Sequence, residues 1–460
     1  MEALGGPVTR GKRRRLEGSG HSAAGPSGGP SSHKIAFKLQ LTEDEAAPEW
    51  IGDVLRSNQL IVAKIFEYLG VYGLSRAARV CRFWRRCAQQ AARNRQMIKH
   101  FNVINLDVGG LDRKLFGREL VRSLRECYAA PSLVMIFTTK HMADEGSKYF
   151  DDFTGSREEF SRNVRKLQRT GKLAYNSALS NYLSTKLPPG SLLQLCSGWG
   201  LTVTDAVDGP IEHEDCEGFA AICISQFPNV KIRTFSVREP CRPSEGRVRP
   251  SACQLIHAAA LGDVKDAKAV IAFSKEAPEP ISNAMHLMDA LVKDYPKLAI
   301  AGATLLSHGV YEPYSTQQDS SWPGRSKPDQ SPHAEVGLCG IVIEGDVKAA
   351  SIVLGHDCRG SEAVKEKMSE LKSFPVIHGR TVGFMFSCCG RGQCFHLGVN
   401  VEGSVFGELF PGVPLMGVFG SGEFGVDTFS DVPPADFRFS YTSVIMLITF
   451  NPPPEDGQAN

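Results

Sequence analysis

The run QLIVAKIFEYLGVYGLSRAARVCRFWRRCAQQ, from Gln59 to Gln90, sets the tightest limit on how this chain can fold. Ile61, Ile65 and Leu69 form one stripe at helical spacing, Val62 and Phe66 widen it, and Gly70 and Gly73 end it. Leu74, Ala77, Ala78, Cys81, Trp84 and Ala88 then follow the i, i+3, i+4, i+7 rule of a second amphipathic helix. Helices of roughly 12 and 15 residues are marginal alone, because the first turn is costly and so small a unit buries little. Their apolar stripes therefore need a cover.

A chain of 460 residues suggests about three domains. With 42% hydrophobic and 22% charged residues, its composition is that of a soluble globular protein. A net charge of +2 argues against wholesale binding to nucleic acid or to an acidic membrane. No stretch approaches the roughly 20 apolar residues of a membrane span, and the N-terminus lacks the apolar core of a secretion signal. Thirteen scattered cysteines suit the reduced thiols of the cytoplasm or nucleus better than a disulfide framework. Paired C-x-x-C motifs are missing, so neither a metal nor any other cofactor is expected.

Residues 1–48 are rich in Gly, Ser, Pro and Ala and read as a disordered tail, in which Lys12, Arg13, Arg14 and Arg15 have the character of a nuclear-import signal. From Phe101 onward, short apolar runs read as strands: Leu133–Thr138, Leu192–Cys196, Ala220–Ile224, Leu298–Ala301, Gly340–Ile343, Val382–Phe386, Leu415–Phe419 and Val444–Phe450. Arg157–Gln168, Asn283–Lys293 and Ser361–Lys372 read as helices between them. The alternation predicts an α/β class with mixed sheets, interrupted by proline-rich breaks at Pro240–Pro250 and Tyr311–Pro332. The expected division is 1–48 tail, 49–100 helical module, 101–310 first α/β part, 311–334 insertion, 335–450 second α/β part and 451–460 loose end.

Arg79, Arg82, Arg85, Arg86, Arg93, Arg95 and Lys99 give the second helix and its continuation a basic face beside its apolar stripe. Nucleic acid would call for more stacking aromatics than Phe83 and Trp84. An acidic protein partner fits better, since charge speeds encounter and burial holds the complex.

The residues Ile65–Leu69, Leu74 and Val80–Arg85, with their V-C-R-x-W-R ending, resemble the F-box, although Asn58-Gln59-Leu60 replaces the leucine-proline pair at its start. The resemblance implies docking on the Skp adaptor, and through it on a cullin scaffold, by Leu60, Ile61, Ile65, Phe66, Leu69, Leu74, Val80, Cys81 and Trp84.

In the last third, FMFSCCGRG and GVFGSGEFG place glycines after apolar runs, where backbone approaches a ligand closely or turns with positive φ. Arg391 and Glu423 on such loops suit a small zwitterion, or else pair with each other. This strand, C-x-x-R-G, strand, G-E arrangement resembles the FIST C-terminal domain at Cys388, Arg391, Gly392, Gly422 and Glu423, and LLQLCSGWG (Leu192–Gly200) is similar to a turn of the FIST N-terminal domain. Cys389 is outside that pattern. An F-box followed by a two-part FIST region implies a ubiquitin-ligase substrate receptor without catalysis of its own. The rivals are a small-ligand sensor in the FIST region and a thiol enzyme using Cys388 with His396 or His378.

Overall fold

The computed structural model describes residues 49–94, 97–106, 131–139, 191–240, 261–275, 282–295, 297–311, 334–430 and 437–450, with single positions between 119 and 130, at 187 and between 251 and 259. The basic run Lys12–Arg15, the helix expected at Arg157–Gln168, residues 451–460 and most of both proline-rich breaks lie outside them.

At the N-terminal side, α1 (Glu49–Ser57), α2 (Gln59–Glu67), α3 (Val71–Ala77) and α4 (Arg82–Asn94) form the helical module. The single second helix expected from Leu74 to Ala88 is two helices. The α3 helix closes with Ala78 N–H on the Leu74 carbonyl, and Val80 N–H turns back to the Ala77 carbonyl. The chain restarts at Cys81, whose Sγ accepts the Trp84 N–H at 3.4 Å and so satisfies an open donor of α4. The basic continuation is also shorter than expected, because α4 ends at Asn94 and Lys99 lies on a strand.

Three sheets form the body. The first runs β1 (Ile98–Asn105), β6 (Glu217–Ser225), β2 (Pro131–Thr139), β3 (Leu192–Gly198), β10 (Ser307–Tyr311). The second runs β7 (Val230–Pro240), β11 (Ala334–Gly345), β8 (Ala267–Lys275), β9 (Ala299–Leu305), β15 (Glu423–Gly425), β16 (Arg438–Phe439). The third runs β12 (Val347–Leu354), β17 (Ser443–Phe450), β13 (Thr381–Cys388), β14 (Leu415–Gly420), β4 (Gly200–Asp205), β5 (Gly209–His213).

These orders are one pattern used three times. A parallel pair (β2–β3, β8–β9, β13–β14) has an antiparallel neighbour from later in its own repeat (β6, β11, β17). That neighbour also pairs with the repeat's opening strand (β1, β7, β12). The other flank is filled from a different repeat: β3 receives β10, β9 receives β15 and β14 receives β4. The exchange is cyclic, and it threads sheets across the expected boundary between 101–310 and 335–450. In matching register stand Phe137, Phe273 and Phe386, opposite Cys196, Ala303 and Val418 of the parallel partners. Their rings meet edge to face, with Phe386 5.4 Å from Phe273 and 6.2 Å from Phe137.

One face of every sheet packs into this shared centre. Outer faces are covered separately, that of the second sheet by α5 (Ser282–Asp294) and by Leu255, Ala259, Leu261 and Val264. The third is covered by α6 (Gly360–Met368), a 3-10 turn at Ser369–Ser373 and α8 (Val401–Leu409). Between α6 and α8 lies the five-residue α7 (Gly392–His396). Strands buried on both faces read as unbroken apolar runs, which is why all eight expected strands are present. The helices expected at Asn283–Lys293 and Ser361–Lys372 are α5 and α6 with its 3-10 extension.

The parallel pairs approach most closely at two glycines in equivalent places. A Cβ on Gly302 would sit 1.7 Å from the Ala272 carbonyl oxygen, and one on Gly417 1.7 Å from that of Met385. Backbone must move to admit either, so Gly302→Ala and Gly417→Ala are each expected to cost about 2 kcal/mol or more. Thermal unfolding of the full chain should show melting lowered by several degrees for both, with Gly52→Ala, which meets open space on α1, giving no loss.

Candidate functional site

The helical module buries a small core of its own: Val62, Phe66, Leu74, Ala77, Cys87 and Ala88, with Leu55, Leu69, Phe83 and Trp84 packed against it. Asn58 caps α2 by accepting the Ile61 N–H at 3.1 Å. The Trp84 ring stands edge-on to Phe66 at 5.3 Å, and its Nε1–H donates to the Leu55 carbonyl at 2.6 Å. Large apolar side chains are left over outside that core. Leu60 is 82% exposed, Tyr68 76% and Val80 64%, and Ile61 and Ile65 are more than two-fifths exposed. Ile61 and Ile65 share a face of α2 beside the buried Val62–Phe66 face, and Tyr68, which caps the helix, follows them at i+3.

This divides the expected docking set. Leu60, Ile61, Ile65 and Val80 are available to a partner, and Cys81 is exposed beside them. Phe66 and Leu74 are interior, since both are needed to hold the helices together. Leu69 and Trp84 are chiefly packing residues. Tyr68 was absent from the set and belongs to the exposed face. A helical projection of residues 60–69 carries that signal.

The second expected site is the turn after β13. Cys388, Arg391, Gly392, Gly422 and Glu423 are all buried, and each has a task within the fold. Arg391 is 1% exposed. Its Nε–H donates to Glu402 at 2.5 Å, Nη1 donates to the carbonyls of Gly355 and Tyr441, and Nη2 donates to that of Cys358. The expectation that Arg391 faces a ligand, or pairs with Glu423, is thus overturned. Its partner is Glu402 on α8, which also meets His396 Nε2 at 3.1 Å. Against the burial that opposes ionisation, His396 and Arg391 hold the Glu402 carboxyl below the usual carboxylate range.

Gly392 makes room for Glu214, whose carboxylate a Cβ there would strike at 2.0 Å. Glu214 Oε1 accepts the Gln393 N–H at 2.5 Å, and Glu212 Oε1 accepts the Gly403 N–H at 2.6 Å. The β4–β5 hairpin of the first repeat thereby ties down α7 and α8 of the third. Burial, with Glu402 nearby, pushes the Glu212 carboxyl up to about 8. Gly422 accepts the Thr304 N–H at 2.7 Å where the second and third repeats cross.

Glu423 is fully buried. Its Oε2 accepts the Thr442 hydroxyl at 2.7 Å, while Oε1 is one of three buried side-chain atoms without a hydrogen-bond partner among the described residues. Burial, then the neighbouring Cys388, push its carboxyl up to about 9, so it is neutral at physiological pH. Cys388 carries the opposite shift. The Cys389 S–H bond, the N–H groups of Gly390 and Tyr441 and the charge of Arg391 outweigh burial and bring its thiol down to about 5. His396 is committed to Glu402 and to the Gly360 N–H at 3.2 Å, so it is no partner for Cys388.

Residues 61–93 match the F-box-like family model. Over 411 residues the chain is 25% identical to F-box only protein 22 of Homo sapiens and equally to that of Pongo abelii, covering 86% of this chain and 93% of each relative. Among solved structures, a cyanuric acid hydrolase aligns over 77% of this chain and all of its own, at 10% identity and a TM-score of 0.29. Another, from A. caulinodans, aligns over 78% of this chain and 99% of its own, at 12% identity and a TM-score of 0.28. Superpositions this loose carry no argument. The chain therefore has an F-box-like module and resembles F-box only protein 22 along most of its length.

Glu423 supplies a pH test. A carboxyl whose folded value is raised favours the native state below its unfolded value, near 4.5, and that contribution is lost as pH rises towards about 9. Glu423→Gln keeps an acceptor for Thr442 and cannot ionise. The variant should therefore match or exceed the natural chain in denaturant stability at pH 8, with its advantage shrinking towards pH 5. A variant that loses stability at pH 8 would overturn the assignment.

Proposed function

We propose that the chain is the substrate-recognition subunit of a Skp–cullin–F-box ubiquitin ligase. The observation that carries this is the set of exposed apolar side chains, Ile61 and Ile65 on one face of α2 with Leu60, Tyr68 and Val80 also exposed, on an F-box-like module whose own core is already closed. A helix that has satisfied its internal packing and still presents large apolar side chains is suited to docking against another polypeptide. Exposed arginines on α3, α4 and the turn between them (Arg76, Arg79, Arg82, Arg85 and Arg86) add a positive field that would draw in an acidic adaptor.

On this reading the three-sheet body, which resembles FIST domains, holds the protein to be ubiquitinated and degraded, and works in the cytoplasm and nucleus. The chain performs no bond chemistry in that role. It raises the effective concentration of substrate lysines near the conjugating enzyme. A sensor for amino-acid-like ligands is disfavoured, because Arg391, the group meant to meet a ligand carboxylate, is enclosed by Glu402 and three carbonyls.

The test is Ile61→Asp with Ile65→Asp in the full chain. Each aliphatic side chain buried in an interface contributes about 1.5–3 kcal/mol. The pair should therefore weaken binding to purified Skp adaptor by about a hundredfold or more, while circular dichroism stays unchanged. Phe66→Ala should instead reduce helicity, since it opens the module's interior. Unaltered adaptor affinity in the aspartate variant would sink the proposal.

A further inference from the structure

The outer strands of an open sheet turn a row of N–H and C=O groups outward, ready to pair with another chain unless something covers or interrupts them. Among the described residues most such edges are blunted. Asn400 covers β5: its Oδ1 accepts the Glu212 N–H and its Nδ2 donates to the Pro210 carbonyl, both at 3.0 Å. Thr428 covers β12, donating its N–H to the Ser351 carbonyl at 2.8 Å and accepting the Ser351 N–H on Oγ1 at 3.1 Å. Strand β16 is two residues long and β10 five. Strand β7 carries Lys231, Arg233, Arg238 and Glu239, ends in Pro240, and shifts register against β11 between Val336 and Leu338.

The edge at β1 is different. This strand runs eight residues, IKHFNVIN, in unbroken antiparallel register with β6 at the end of the first sheet. Ser225 donates its N–H to the Met97 carbonyl at 2.9 Å, which fixes the alternation. Lys99, Phe101 and Val103 turn their backbone groups to β6, and Ile98, His100, Asn102 and Ile104 turn theirs outward. Among the described residues no backbone takes up those four outward positions. All eight residues are half-buried. Phe101 and Val103 pack on the outer-face core, and Ile98 and Ile104 on the shared centre.

We propose that β1 pairs with β1 of a second copy of the chain, antiparallel and centred on Phe101, so that two first sheets join across a twofold axis. The strand is nearly symmetric about that residue, as a twofold interface requires. Ile98 of one copy falls opposite Ile104 of the other, His100 opposite Asn102, and the two Phe101 rings opposite each other. Apolar thus meets apolar, polar meets polar and ring meets ring. Burial pushes the His100 imidazole down, so it faces Asn102 uncharged. Lys99 lies opposite Val103 at each end, which keeps the two ammonium groups apart. Each copy donates four N–H bonds and accepts four.

A slip of two residues sets Ile98 against Asn102, or His100 against Ile104, and forfeits hydrogen bonds. This self-matching favours a second copy over an unrelated extended segment, which an open edge would accept in several registers. Because α4 ends at Asn94 and β1 starts at Ile98, the two junctions lie at opposite ends of the joined strands, about 20 Å apart. The pairing does not depend on adaptor docking.

An interface built on one strand is small and exchanges readily, so it is read as a dependence on concentration. Sedimentation equilibrium of the full chain should give a mass near 50.1 kDa at about 1 μM, rising towards twice that by about 100 μM. Over the same range amide exchange at Ile98, His100, Asn102 and Ile104 should slow about tenfold, while Lys99, Phe101 and Val103, already bonded to β6, do not change. His100→Pro removes an outward N–H that the strand's own sheet does not use, and proline is tolerated on such an edge. That variant should keep its thermal melting and stay at the mass of one chain throughout. In Phe101→Cys, mild oxidation should join two copies at position 101, where side chains of a non-hydrogen-bonded pair come closest. Val103→Cys, set against Lys99, should not cross-link. A mass of one chain at about 100 μM with no slowing at the four amides would overturn the proposal. So would a dimer that His100→Pro leaves intact, or cross-linking through position 103 in preference to 101.

Discussion

Because β4, β10 and β15 each complete a sheet begun elsewhere in the chain, no repeat can bury its apolar faces until the other two are in place. The centre where Phe137, Phe273 and Phe386 meet is therefore shared property. Most of its contacts are between residues far apart in sequence, and closing the loops between them costs chain entropy before any packing offsets it. The consequence is cooperativity: loosening one junction, such as the Gly420–Gly422 crossing against Thr304, exposes edges in two sheets at once. The helical module obeys the opposite rule. Its six-residue core draws on residues 62 to 88, and its bonds are mostly within a few turns.

That difference in range explains which parts were legible in the sequence. Strands packed on both faces leave continuous apolar runs, so β2, β3, β6, β9, β11, β13, β14 and β17 stand out. The run in β8, Ala269–Phe273, is of the same kind and is missing from the expected set. Short donated strands are hidden because their sequences are shaped by the crossings they make: β4 opens with Gly200 under the His213 carbonyl, and β15 is three residues long. The repeat itself is faintly written, as Phe-Thr-Thr, Phe-Ser-Lys and Phe-Ser-Cys at the ends of β2, β8 and β13. The break between α3 and α4 left no trace, since the turn at Arg79–Cys81 preserves helical spacing and contains neither Gly nor Pro.

Side-chain roles were less legible than strands. Sequence reading linked Arg391 with Glu423 because both follow apolar runs and glycines. The carboxylate that reaches Arg391 is on α8, eleven positions away and on no shared pattern, brought in by the packing of α8 on the third sheet. For the F-box-like module periodicity picks out the apolar positions as one group, and alone it could not say which of two neighbouring faces would turn inward. Phe66 goes in because Trp84 meets it edge-on, and Ile65 goes out because nothing in the module covers it.

The commitment of Arg391 also decides what the turn after β13 can do. A guanidinium facing Cys388 with donors to spare would pin the thiolate as an ion pair and draw anions to the site. Here its donors are directed to Glu402 and to the carbonyls of Gly355, Cys358 and Tyr441, and its charge is the smallest of the influences that lower the Cys388 thiol. Stabilisation of the Cys388 sulfur falls instead to short-range donors, the Cys389 S–H and two backbone N–H groups. Such donors act only while the turn keeps its shape, and that shape rests on the same Arg391 bond that holds Tyr441 in its strained conformation. The buried ion pair thus reaches Cys388 chiefly through backbone geometry, tying the shape of the turn to the packing of α8.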